Sequence, residues 1–466
     1  IGAYTQVKLD FLVSDLREAT PLVAETWIRL PRNRRPASWD KYEDPVCRLV
    51  LNLYGHPLAG LLWEKHCQKI IFKAGFKKVQ GWECLYVHHE EQLFLSVYVD
   101  DFKMAGKKEN LSGMWKVLSK ELDLEPPTPL DGNVYLGCGQ KELTPVDEIV
   151  AEKSKLFDKI FTSSREGKPS ANLSSIQGLA GYPQKDQNGT EWGVEKGEEK
   201  TGNRKNQSQN KTKPKGYQYD MCGHAEACVE KYLELANKER SCLKQVATPC
   251  IDDHQIAQED FETAGELAPC AARVVLKTLY LARLGRPDIY WSVNVLAREV
   301  TKWNVACDKR LLRLISYLNC TQDWVQTCWV GDPAKDCVLA LFCDASFAGD
   351  LRDSKSTTGA MLVLIGPNTF VPITWICKKQ GAVSHSSSEA EVIALDAGIR
   401  MEGIPALTLW ETVVGVFHPG SSSVGKTPTN KSNTNITIDV FNVDYVPCNI
   451  PRSKGIARLI VLEDND

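Results

Sequence analysis

Through the first 150 residues, short strand-like apolar runs trade places with stretches whose apolar residues recur every three or four positions. Leu93–Val99 is apolar and rich in strand formers, and Lys103–Gly106 follows two aspartates and a phenylalanine. This spacing predicts a hairpin with Asp100 and Asp101 at its turn. From Ser163 to Lys215 the pattern dissolves into Gly, Ser, Asn, Gln, Lys and Pro, and Lys200–Lys215 carries six cations and no carboxylate. Such a stretch buries too little apolar area to offset its ordering entropy, so residues 155–215 read as a basic insertion or solvated linker. An amphipathic helix is expected over Tyr219–Leu235, with more over Ala268–Leu284, Ile289–Trp303 and Cys307–Leu318. After Asp336 the pattern turns to strands at Val338–Cys343, Gly359–Ile365 and Phe370–Lys378. A helix over Ser386–Arg400 follows, its serines available for capping. The polar tract Gly420–Asn435 then precedes a last strand over Ala457–Leu462, and no internal repeat is visible.

A chain of 466 residues has room for about three domains. With 43% hydrophobic and 25% charged residues, it is neither wholly disordered, collagenous nor membrane-embedded. No apolar run approaches the roughly 18 residues of a spanning helix. The net charge of -3 means that any nucleic-acid-binding surface must be local. Sixteen cysteines include no Cys-x-x-Cys pair. Cys222, His224 and Cys228 come nearest to a zinc set, but they fall on a helical pattern with no fourth ligand nearby. Buried cysteines acting as small hydrophobes account for them better. The chain opens at Ile1 without a secretory leader. The expectation is a reduced, intracellular protein, cytoplasmic or nuclear, cut from a larger polypeptide.

Two carboxylate sets carry candidate chemistry. Tyr98-Val99-Asp100-Asp101 puts adjacent acids on a tight turn, where their repulsion suits a divalent cation. Phosphoryl and nucleotidyl transfer use two such ions to hold the attacking and leaving oxygens in line. A plain solvated Asp-Asp turn has the same sequence. Asp344, Glu391 and Asp464 form the second set, at strand ends and on the intervening helix, where hard oxygen ligands would suit magnesium. Helical phase does not choose between Glu389 and Glu391, and Asp439 competes with Asp464.

The order of further motifs resembles the polymerase polyprotein of copia-type LTR retrotransposons. Trp27-Ile-Arg-Leu-Pro31 resembles its fingers segment, and Leu53-Tyr-Gly55 with Trp63 its template-grip helix. Ala74-Gly-Phe76 leads to the Tyr98–Asp101 box, and Tyr135-Leu-Gly137 is similar to the segment closing the palm. Ala247-Thr-Pro249, Arg286-Pro-Asp-Ile289 and Tyr317-Leu318 with Thr321 resemble the following helical region. Asp344–Asp350, Asp353–Gly359, Trp375, Lys378-Lys-Gln380 and Ser386–Glu391 resemble the start of its ribonuclease H domain. The resemblance covers the chain except about 155–215 and 413–456.

It implies an α+β multidomain protein. Residues 1–150 would be reverse-transcriptase fingers and palm, 216–335 a helical thumb or connection, and 336–466 a ribonuclease H-like domain with a mixed sheet. Asp100 would be a polymerase metal ligand with Asp101 its acidic neighbour, and Tyr98 would lie near the primer end. Lys103, Lys107 and Lys108 would touch the nucleic-acid backbone, although lysines on a solvated face look the same in sequence. Asp344, Glu391 and Asp464 would hold the ribonuclease H metal; this register selects Glu391 over Glu389 and Asp464 over Asp439, and leaves Asp350 a turn former. The implied cofactor is Mg²⁺ or Mn²⁺. Implied partners are an RNA template, a DNA primer, an RNA–DNA hybrid and deoxynucleoside triphosphates.

His56-Pro-Leu58 stands where the family usually has Leu-Lys-Gln. The resemblance also puts a first polymerase aspartate before Ile1 and a fourth ribonuclease H acid beyond Asp466. On that reading the 466 residues alone would extend no primer and would cleave a hybrid weakly or not at all. The alternative to an enzyme is a degenerate retroelement fragment that binds nucleic acid weakly.

Overall fold

The computed structural model describes residues 2–6, 27–48, 56–165, 213–349, 353–420 and 455–463. Leu53–Gly55, residues 166–212, Asp350, most of the Gly420–Asn435 tract, Asp439 and Asp464 lie outside them. The chain forms two compact units, one built mainly from the residues up to Lys141 and the other mainly from Glu142–Glu411.

The first unit is organised by an antiparallel sheet. Its strands are β1 (Gly2–Gln6), β4 (Lys77–Lys78), β5 (Leu85–His88), β6 (Leu93–Tyr98), β7 (Asp101–Gly106) and β8 (Thr128–Pro129), in the order β4-β5-β6-β7-β1-β8. Two short strands, β2 (Trp27–Ile28) and β3 (Cys47–Arg48), pair separately, and β9 (Asn133–Tyr135) forms a hairpin with β10 (Cys138–Leu143). Strand parity sorts the side chains of the central hairpin. Leu93, Leu95, Phe102 and Met104 face helices α1 (Ala59–Lys73) and α2 (Lys108–Leu118), meeting Cys67, Ile70, Ile71, Leu111, Met114, Trp115 and Leu118 in one core. Each such burial contributes about 1.5–3 kcal/mol. The other face keeps Ser96, Tyr98, Asp101 and Lys103. Gly106 closes the hairpin base because a Cβ there would lie 2.2 Å from the Gln92 carbonyl oxygen.

In the second unit, β11 (Lys215–Asp220), β12 (Gln326–Val330), β13 (Val338–Ser346), β14 (Thr357–Gly366), β15 (Thr369–Lys379) and β16 (Leu459–Leu462) run in the order β16-β13-β14-β15-β12-β11. Only the β13–β16 pair among these is parallel. A bulge on β15 at Ile373 follows Pro372, which has no N–H to give the ladder. One face of β13 carries Val338 and Ala340, packed with Leu156 and Ile160 of α3 (Asp147–Arg165). The other carries Leu339, Leu341 and Cys343. These meet α9 (Ser387–Gly398) and α10 (Ile404–Phe417), which follow a helical layer of α4 (Cys222–Ala236), α5 (Gln258–Glu262), α6 (Ala271–Leu284), α7 (Tyr290–Arg298) and α8 (Val305–Cys320). The Trp375 indole N–H on β15 donates to the Ala282 carbonyl at 2.8 Å, tying this layer to the sheet.

Three local expectations change. Tyr219 belongs to strand β11 and the helix starts at Cys222, because residues 215–219 find partners on β12. Helix α3 runs through Arg165, so 155–165 are helical, with Leu156 and Ile160 one turn apart and buried. The expected helix over Ile289–Trp303 stops at Arg298, and Asn304 caps the next by accepting from the Cys307 N–H at 2.9 Å.

A buried cation pins the helical layer. Arg286, 4% exposed, donates through its guanidinium to both Asp288 carboxylate oxygens at 2.9 and 2.7 Å. It also donates to the Thr321 carbonyl and hydroxyl at 2.8 and 2.7 Å. It lies over the Tyr317 and Trp324 rings, and Tyr317 in turn donates to Asp288 at 3.0 Å. Removing one partner leaves the other charged and poorly solvated. Arg286→Met is expected to destabilise the second unit by about 3 kcal/mol, read as a lower urea midpoint by tryptophan emission; a midpoint unchanged from the parent would contradict this role.

Candidate functional site

The β6–β7 hairpin closes through a two-residue turn, Val99-Asp100, one residue earlier than the expected Asp100-Asp101 turn, because Asp101 is in strand β7 and pairs with Tyr98. Val99 has φ +54°. For a β-branched residue that conformation is a genuine outlier, costing about 1–3 kcal/mol. Something outside the turn must therefore hold it. The Trp63 indole N–H, from α1, donates to the Val99 carbonyl at 2.7 Å. The Trp63 ring also lines a cavity of about 300 Å³ with Cys67, Tyr86, Val97 and Val99. Burial, with Cys84 and Glu64 adding to it, pushes the Cys67 thiol up to about 12, so it stays protonated.

Tyr98 and Val99 are exposed at the tip. Asp101 shares the helix-free face with Ser96 and Lys103. The Lys103 ammonium sits 5.0 Å from the centre of the Tyr135 ring, and burial lowers its pKa from the usual lysine value. Burial pushes the Tyr135 phenol up to about 12, opposed by a hydrogen bond with Ser96 and aided by the Asp101 charge. The turn thus gathers Asp101, Lys103, Tyr135 and Ser96 on one side and Trp63 on the other. Lys107 and Lys108 are exposed at the far end of β7, roughly 20 Å of strand from the turn. Trp63 and Tyr135 carry roles that sequence reading assigned only to a grip helix and a palm segment; their bonds join residues far apart in the chain.

The second constellation forms where β13 ends. Asp344 is exposed near that end, and Glu391 is half-buried on α9. Ala390 and Ala394 of α9 pack on Ala345. Burial chiefly raises the Cys343 thiol to about 11, and the nearby Glu463 and Glu391 charges push the same way. Glu391 and Glu463 are therefore both within electrostatic reach of Cys343, the residue preceding Asp344. β16 runs parallel beside β13 as far as the Phe342↔Leu462 pair. Asp464 lies outside the described residues. Ser386 caps α9 by accepting from the Glu389 N–H at 3.1 Å, while Glu389 accepts from the His385 N–H at 2.7 Å, so Glu389 is spent on capping. Among the described residues, no group of three or more His, Cys, Asp or Glu side chains is placed to hold one metal ion, and no helix is long and apolar enough to cross a membrane.

Residues 19–146, which contain Trp63, the Tyr98–Asp101 turn and Tyr135, match the family described as reverse transcriptase (RNA-dependent DNA polymerase). The chain is similar to a putative transposon Ty5-1 protein of Saccharomyces cerevisiae, 23% identical over 359 residues, covering 76% of this chain and 89% of that one. It is 30% identical over 191 residues to the retrovirus-related Pol polyprotein from transposon RE2 of Arabidopsis thaliana, covering 40% of this chain and 12% of the polyprotein. With the corresponding polyprotein from transposon TNT 1-94 of Nicotiana tabacum it shares 28% identity over 184 residues, covering 36% of this chain and 12% of the relative. These matches support a copia-type retrotransposon polyprotein with a reverse transcriptase region. The chain spans only a small part of the two plant polyproteins.

On α1 of this region, His66 sits 6.2 Å from Trp63, ring centre to ring centre. Its pKa is lowered from 6.5, first by burial and then by Lys69, with Glu121 opposing. Below pH 6.5 the unfolded chain binds the proton first, so stability falls as pH drops through this window and is intact above it. His66→Gln is expected to flatten the loss of stability below pH 6.5, measured by urea denaturation across pH; an unchanged slope would show that His66 does not titrate this way.

Proposed function

We propose that this chain is the RNA-directed DNA polymerase and ribonuclease H region of a copia-type element. In this reading residues 1–150 are fingers and palm, 216–335 the helical connection, and 336–466 a ribonuclease H-like domain. The observation that carries it is the Val99-Asp100 turn, with Asp101 on the same sheet face as Lys103 and Ser96. The reverse transcriptase family generally uses divalent metals. Asp100 and Asp101 offer hard carboxylate oxygens of the kind Mg²⁺ or Mn²⁺ prefers, so they would hold the ion. When bound, the ion would stabilise charge developing on the nucleotide phosphates. The chain's own contribution is placement. The open face beside Tyr98 receives the primer end, and Lys103 supplies positive charge near the template–primer backbone. In the second unit, Asp344 and Glu391, with Asp464, form the donor set for hydrolysing the RNA strand of an RNA–DNA hybrid, where the 2′-hydroxyl marks the substrate.

A second reading, an inert retroelement segment that only binds nucleic acid, is favoured by one observation. His56-Pro57-Leu58 replaces the cation and amide of the family's grip. Here the His56 ring nitrogen accepts from the Leu58 N–H at 3.2 Å, a local turn contact.

Primer extension on a primed RNA template with Mg²⁺ and deoxynucleoside triphosphates separates the two. Where the resemblance alone expected no extension from the 466 residues, the polymerase reading of the turn expects incorporation, falling by at least about a hundredfold in Asp100→Asn, since units of a catalytic set fail together. Binding of the primed template with no incorporation in parent or variant is the outcome for the inert segment. Hybrid cleavage should likewise be lost in Asp344→Asn, and cleavage surviving that change would place the hydrolytic site elsewhere.

A further inference from the structure

We propose that Trp63 is a positioning residue that holds the Val99–Asp100 peptide in one of its two flip states. The conformational claim stands on geometry, and only its consequence for catalysis rests on the polymerase reading. A two-residue hairpin turn with positive φ at its first position and negative φ at its second is of type II′; Val99 is positive and Asp100 is not. Types I′ and II′ share the first angle and differ by roughly half a rotation of the peptide between the two turn residues. Type II′ normally takes glycine first, and valine there is strained. Val99 is 63% exposed, so its own packing does not hold the turn.

The Val99 carbonyl belongs to the peptide that would flip, and the Trp63 indole N–H lies 2.7 Å from it. That donor is fixed from below, because neighbouring Leu62, Cys67, Ile70 and Ile71 of α1 are buried. After a flip, the Asp100 N–H would face the indole N–H, donor against donor. The one bond therefore favours the observed turn and disfavours its alternative, fixing the direction of Asp100 relative to Asp101. Loss of the donor should loosen the acidic pair without unpacking the core beneath it.

Trp63→Phe keeps an aromatic ring and removes the N–H. Trp63→benzothienylalanine keeps the indole shape with sulfur in place of N–H, and serves if the phenylalanine variant folds poorly. Amide hydrogen exchange in the full chain is expected to rise about tenfold at Asp100 and Asp101 in either variant, with exchange in α1 unchanged. In a Val99→Gly background the same substitution should raise it less than about threefold, because glycine adopts the turn unaided. Unchanged exchange in both Trp63 variants, or equal rises with and without Val99→Gly, would overturn the proposal. Primer extension, scored in parallel, isolates the polymerase reading. A lower kcat at constant KM for nucleotide carries the positioning into catalysis, and unchanged kcat despite faster exchange rejects that step. Faster exchange in a chain that adds no nucleotide supports the positioning and counts against the polymerase reading.

Discussion

The second unit hangs on a charge that it cannot leave unpaired. Arg286 sits at the corner between α6 and α7, and its partners Tyr317, Thr321 and Trp324 lie at the exit of α8. Satisfying the guanidinium fixes where α8 ends, and hence where β12 begins. β12 then pairs with β15 through Trp329 and Phe370, whose rings also pack together. The direction of the sheet is thus inherited from a polar contact in the helical layer. A buried ion pair is weak evidence for net stability but good evidence for a unique geometry, because few other arrangements supply all its partners. The motif Arg286-Pro-Asp-Ile289 reads as a family signature for this reason: the proline starts the turn, and the aspartate two residues on returns to the arginine.

The hairpin of the first unit solves the opposite problem. There Asp100 and Asp101 are only half-buried, so burial alone does not orient them. Orientation comes from backbone geometry, with Val99 in a conformation its side chain resists and a donor from a buried helix beneath it. A rigid floor of Leu93, Leu95, Phe102 and Met104 supports a tip that exposes almost everything else. Lys103 shows the intermediate case, with its stem buried along the sheet and its charge resting on the Tyr135 ring.

What the sequence discloses follows from the range of the interaction. The β6–β7 hairpin and the β13–β14–β15 meander are legible to within a residue or two, because alternation and turn chemistry are local. The Ser386 cap is legible for the same reason. Strand β11 is not, since its partners on β12 lie more than a hundred residues away and its flank is polar. Nor is the continuation of α9 into α10. Gly398, Gly403 and Pro405 look like helix breakers, yet a π-helical turn over Ile399–Gly403 carries the chain past them. The glycines are there for closeness: a Cβ on Gly398 would lie 2.6 Å from the Cys343 sulfur, and one on Gly403 would lie 2.9 Å from Leu459. Of the candidate sites, the acids themselves are legible as residue types in motif order. The Trp63 bond is not, because a tryptophan on a helix face says nothing about a carbonyl 36 positions later.

The parallel pairing of β16 with β13 also sets an order of assembly. Strands β13, β14 and β15 are joined by short connections and can zip in sequence, with α9 closing over them soon after. Leu459 must instead find Leu339, 120 residues back along the chain. Contacts of such separation form slowly, since the loop entropy falls due before the contact contributes anything. The meander would therefore exist for a time with one edge of β13 bare. During synthesis that edge waits for Leu459–Leu462 to emerge, and it is the place where another copy of the strand could pair in their stead.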